Sequence, residues 1–117
     1  MNYLLLIYTN EAQVAAMEPA ALQTMMAEYT DFTKGIVKAG QFKAGDRLKP
    51  TSSASTVRVR NGKATISDGP FAETREQLGG YYLIEAKNLD EATAVAARIP
   101  GARHGSVEVR PVWPPMG

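Results

Sequence analysis

The stretch Thr56-Val57-Arg58-Val59-Arg60-Asn61-Gly62-Lys63-Ala64-Thr65-Ile66-Ser67 decides how the rest of the chain is parsed. Two alternating runs flank Asn-Gly, the pair favoured in a two-residue type I′ turn because both central residues take positive φ. A β-hairpin is predicted. Its turn pairs Val59 with Ala64 and Val57 with Ile66 on one face. Arg58 and Thr65, and Arg60 and Lys63, fall on the other. Like charges facing each other are stable only in water, so that second face is expected to be solvated. Val57, Val59, Ala64 and Ile66 are expected to face inward.

Set the hairpin aside and the remainder reads as a simple repeat of elements. Tyr3-Leu4-Leu5-Leu6-Ile7-Tyr8 is a continuous apolar run, consistent with a central strand covered on both faces. A polar loop is expected from there to Met17. Pro19 suits the first turn of a helix, where its missing N–H costs nothing. Leu22, Met25, Met26, Tyr29, Phe32, Ile36 and Val37 then recur at helical spacing, and Gly40 supplies a stop. A short strand is expected within Gln41–Leu48, followed by a loop over Lys49–Ser55. After the hairpin, Asp68-Gly69-Pro70-Phe71 has the chemistry of a turn, and Ala72–Gln77 is read as a helical turn. Tyr81–Glu85 is a strand. Asn88 with Glu91 has the form of a capping box, and a helix follows to Pro100-Gly101. Ser106–Arg110 alternates as the last strand. The order is β-α-β-β-α-β with an inserted hairpin, the ferredoxin-like arrangement of the α+β class. Two helices cover only one face of such a sheet. The other must meet water or a second copy, so a homodimer is expected.

Composition narrows the function classes. The chain has 117 residues, which is one domain by the usual ~150 residues per domain. Thirteen basic against twelve acidic residues give a net charge of +1, against the basic excess of a nucleic-acid binder. There is no cysteine and one histidine. A disulfide scaffold, a thiol nucleophile, an iron–sulfur cluster and a multi-His metal site within one chain are thereby excluded. The apolar run near the start is six residues long, far short of the ~20 that span a bilayer. It also lacks the flanks of a signal peptide. A cytoplasmic protein with no membrane segment is expected. No phosphate loop, dinucleotide glycine pattern or nucleophile elbow is present, so no cofactor is expected.

Asp68-Gly69-Pro70-Phe71-Ala72-Glu73-Thr74-Arg75-Glu76, continuing Gln77-Leu78-Gly79-Gly80-Tyr81, resembles the signature of the YCII-related family, in particular its DGPF branch. Arg75 stands where that branch usually has Lys. The likeness extends to Tyr3–Tyr8 and to Gly105–Pro111, and so to nearly the whole chain. The resemblance implies a ferredoxin-like fold paired into a dimeric α+β barrel. It carries an association with sigma-factor control for some members and dehydrochlorinase chemistry for others. YCII-type members place a candidate catalytic His on the first helix, with an Asp partner. Here that region reads Met26-Ala27-Glu28-Tyr29-Thr30, so that dyad does not transfer.

The residues themselves offer several candidates. Asp68, opening a rigid turn, can act as a general base or hold a ligand hydroxyl, or can simply cap the turn. His104 is the one side chain whose ordinary pKa lies near neutrality, which makes it the proton-shuttle candidate. Glu73 and Glu76 would share one side of a helical turn and so form a possible acid pair. Tyr29 and Tyr82, with Tyr81, can line a pocket for an aromatic ligand. Arg47 or Arg58 can hold an anionic group. The expectation is a pocket near Asp68 serving proton transfer or elimination on a small molecule. A non-catalytic ligand-binding or regulatory module is the alternative.

Overall fold

A computed structural model describes residues 1–116. Strand β1 (Asn2–Thr9) leads through a short helix α1 (Glu11–Ala15) to the long helix α2 (Pro19–Lys38). Strand β2 (Phe42–Arg47) follows, then the hairpin of β3 (Ser55–Arg60) and β4 (Lys63–Asp68). Strand β5 (Gln77–Glu85), helix α3 (Leu89–Ala97) and strand β6 (Ser106–Pro111) complete the chain. The main sheet has the order β2-β5-β1-β6, with antiparallel neighbours throughout. With the hairpin removed this is the ferredoxin-like order. The sheet is open and does not close into a barrel.

Local chemistry explains the boundaries. Pro19 begins α2, and Gly40 with φ of 73° ends the turn that follows it. The Asn88 side chain accepts a hydrogen bond from the Glu91 N–H at 2.9 Å, capping α3. Asn10 does the same for α1 through the Gln13 N–H. That cap turns the expected polar loop into one short helix, which the pattern of apolar residues did not announce. The expected helical turn over Ala72–Gln77 is absent: this segment is irregular and passes into β5 at Gln77.

The core lies between the two longer helices and one face of the sheet. Tyr3, Leu5, Ile7, Tyr82 and Ile84 point into it from β1 and β5. Phe32 and Ile36 of α2 and Ala92, Val95 and Ala96 of α3 meet them, with Ile99 beside α3. Phe32 and Tyr82 pack edge to face at 5.2 Å, and Arg98 lies over the Phe32 ring. Along β1, buried and half-buried residues alternate. The expectation of a strand covered on both faces therefore fails within one chain. Leu4, Leu6, Tyr81 and Leu83 share the second face, paired across β1 and β5, and no helix lies over them.

The hairpin also departs from expectation. Its turn forms as predicted, with Asn61 at φ 53° and Gly62 at φ 75°. Its register also holds: Val57 pairs Ile66 and Val59 pairs Ala64. Those side chains do not face inward. Val57 and Val59 are each 60% exposed and Ile66 is 72% exposed. The hairpin stands apart from the main sheet as its own two-stranded ribbon, so both of its faces meet solvent in the single chain.

Candidate functional site

Tyr29 anchors a polar cluster between α2, β5 and the turn after α3. The helical spacing of α2 sets Met26, Tyr29, Thr30, Thr33 and Lys34 along one flank. There they line a shallow groove of about 310 Å³. The Tyr29 hydroxyl accepts a hydrogen bond from the Gly101 N–H at 3.1 Å. Gly101 lies in the single 3-10 turn after α3, where a Cβ would sit 2.6 Å from the Tyr29 hydroxyl. Only glycine leaves that hydroxyl its place. Beside it, the Thr33 and Tyr82 hydroxyls are 2.7 Å apart. The Tyr82 ring in turn lies over Gly45 of β2, where a Cβ would meet a ring carbon at 2.8 Å.

Electrostatics at this cluster favour a neutral hydrogen-bond donor. Burial pushes the Tyr29 pKa above its ordinary value of 10.0. The Gly101 N–H and the charges of Arg103 and Arg47 oppose that rise without cancelling it. The phenol, protonated at neutral pH in any tyrosine, is here held further from ionisation. With its oxygen already accepting from Gly101, the phenol proton can be given to an acceptor. Lys34 brings an ammonium to the groove. Arg103 is held by Glu28 in a two-pronged contact of 2.8 Å to each carboxylate oxygen. Tyr81 donates to Asp46 on the open face of the sheet.

Among the described residues no hydrogen bond or ion pair joins the acid–base candidates to one another. Asp68 ends β4, opposite Ser55, and is exposed. The turn after it is held by backbone groups instead. The Gly69 N–H donates to the Ala54 carbonyl at 2.7 Å, and the Thr56 hydroxyl donates to the Gly69 carbonyl at 2.8 Å. Glu73 is exposed and makes no described contact with Glu76. Glu76 accepts from the Ser106 hydroxyl at 2.9 Å. The helical turn that would have aligned the two glutamates does not form. His104 follows the 3-10 turn and is exposed. Of the predicted site residues, Tyr29 and Tyr82 share one cluster, with the Arg47 charge reaching Tyr29. Arg47 also borders a second shallow groove with Leu48, Lys49 and Pro50.

Thr33, Lys34 and Gly101 join the cluster without having been singled out. Thr33 carried a usable signal: a hydroxyl four residues after Tyr29 interrupts an otherwise apolar stripe. Gly101 read only as a helix stop. Among the described residues no three His, Asp or Glu side chains are grouped to hold a metal ion. Among the described residues no helix is long and apolar enough to cross a membrane.

Two comparisons bear on this arrangement. Residues 1–115 match the YCII-related domain. An uncharacterised protein of Rhizobium meliloti (strain 1021) is 39% identical over 114 residues, covering 96% of this chain and 92% of that protein.

Proposed function

The chain belongs to the YCII-related family, and on that premise we propose that it acts as a homodimeric small-molecule-binding protein. Its ligand lies in the α2 groove and presents an acceptor or anionic group to Tyr29 and Lys34. The observation that carries this reading is the Tyr29 hydroxyl. It is held from behind by the Gly101 N–H, burial raises its pKa further above neutrality, and it borders a shallow, mostly apolar groove. An apolar wall with a few fixed polar groups is the usual make-up of a small-ligand site. Binding without catalysis is the better reading because Asp68, Glu73 and His104 are exposed and no hydrogen bond joins them, whereas proton transfer needs an acid and a base converging on one atom. The motif from Asp68 to Glu76 supports placing the chain in the DGPF branch.

The test is amide chemical-shift mapping with a panel of small aromatic and aliphatic carboxylates. Saturable shifts clustered at Tyr29, Thr33 and Lys34 are expected. Tyr29→Phe should weaken them and Asp68→Asn should leave them unchanged. Shifts centred on Asp68 and His104, abolished by Asp68→Asn, would overturn this reading and restore a proton-transfer site at the turn.

A further inference from the structure

The β3–β4 hairpin poses a problem of its own. A two-stranded ribbon is marginal in water unless something covers it. Here Val57, Val59 and Ile66 form a contiguous apolar face at 60–72% exposure. Phe71, just past its base, is 79% exposed. At the far end of the molecule Trp113, the single tryptophan of the chain, is 90% exposed.

The surface of the whole chain says how much is left to cover. It exposes 8354 Å², whereas a folded monomer of this mass exposes about 6,200 Å². Its radius of gyration is 16.2 Å, against about 13 Å for a closed domain of this length. The excess is about 2,100 Å² per chain by the same scaling. Two chains burying that much would make an interface of the size found in obligate homodimers, roughly 2,000–5,000 Å² in total. The area therefore selects a second copy of this chain as the occupant.

Topology says which surfaces meet. The loop that leads into the hairpin is tied to the start of α1, just past the end of β1: Thr51 donates through its N–H and its hydroxyl to the Glu11 carboxylate. The C-terminal tail is tied to the start of β1, where the Val112 N–H donates to the Asn2 carbonyl. Hairpin and tail thus leave opposite ends of the sheet. The molecule is a plate only 18 Å thick. A hairpin with strands of six residues, about 20 Å long, therefore extends along the plate and does not stand upright from it. Stack two open sheet faces about a two-fold axis that reverses strand direction, and the arm of each chain arrives at the tail end of the other. A two-fold contact needs such a self-complementary pair of surfaces.

We propose that the β3–β4 hairpin is an exchanged arm whose apolar face, Val57, Val59 and Ile66, packs on Trp113 and the tail end of the open sheet face of a second copy. This rests on the homodimer proposed above and adds the contact that closes it. Asp68 lies on the same hairpin face as Val57 and Ile66, so in the dimer it too faces the partner.

Trp113 reports directly. In the full chain at micromolar concentration, acrylamide should quench its fluorescence several-fold less than free tryptophan, and its emission should be blue-shifted. Ile66→Asp changes a side chain that the single chain leaves in water. It should keep the circular dichroism of the fold, expose Trp113 to full quenching and weaken association by at least an order of magnitude in sedimentation. Because the chain has no cysteine, a Val59→Cys, Val112→Cys double variant gives a second reading. A short bismaleimide should join the two positions between chains. A dimer with fully quenchable Trp113 and no 59–112 cross-link would overturn the arm and leave the homodimer standing. A monomer would overturn both.

Discussion

Tyr29 draws its role from three neighbours, and each can be removed singly. Tyr29→Phe deletes the acceptor of the Gly101 N–H and should cost about 1 kcal/mol, the usual worth of one hydrogen bond. Gly101→Ala places a Cβ against the same hydroxyl and should cost more, about 1–3 kcal/mol by overpacking. Both are read from urea denaturation. The raised pKa of Tyr29 also fixes a pH dependence. Above 10.0 the unfolded phenol gives up its proton before the folded one does, so the native state binds more protons and stability falls as pH rises. Tyr81 is raised too, by its bond to Asp46, and acts in the same direction. More than about one pH unit below 10.0 neither residue should impose a slope. Tyr29→Phe should flatten the alkaline limb, seen by comparing denaturation midpoints on either side of that value; an unchanged limb would remove Tyr29 from this role. At this scale the sequence spoke unevenly. Tyr29 and Tyr82 were visible as aromatic residues, but their hydroxyl contacts join positions 72 and 49 residues apart. Local spacing carries no trace of them. Asp68 was conspicuous for the rigidity of its turn, and backbone groups of Ala54 and Gly69 with Thr56 account for that rigidity.

Elements were the most legible level, because their signals are local. Helical spacing located α2 behind Pro19 and, with the Asn88 cap, α3, and Asn61-Gly62 located the turn of the hairpin to the residue. What local pattern could not supply was the hairpin's surroundings. Alternation says that one face is apolar, not whether the same chain covers it. The hairpin should therefore behave as a separate unit. Gly62→Val forces a β-branched residue to φ 75°, at a cost of roughly 1–2 kcal/mol. The loss should appear as faster amide exchange across residues 55–68, with protection in β1 and β5 retained. Equal loss of protection everywhere would mean that the ribbon and the main sheet unfold together. Leu5→Ala should show the opposite pattern. Leu5 is fully buried in the main core, so about 2–5 kcal/mol should be lost globally.

For the molecule as a whole, the governing fact is that one layer of helices covers one face of the sheet. Leu4, Leu6, Tyr81 and Leu83 remain on the other face. The thickness of 18 Å and the surplus of exposed area follow from that arrangement. The order of elements made the uncovered face predictable from sequence, since two helices on a four-stranded sheet leave no third layer. The family resemblance implies a barrel made by two chains together; the four-stranded sheet of one chain is open and does not meet its own edges. The account stands on this face being buried against a second copy. Light scattering of the full chain, diluted through the micromolar range at neutral pH, tests that most directly. The mass should be twice 12.6 kDa at micromolar concentration. A soluble, folded species of 12.6 kDa across the same range would contradict it.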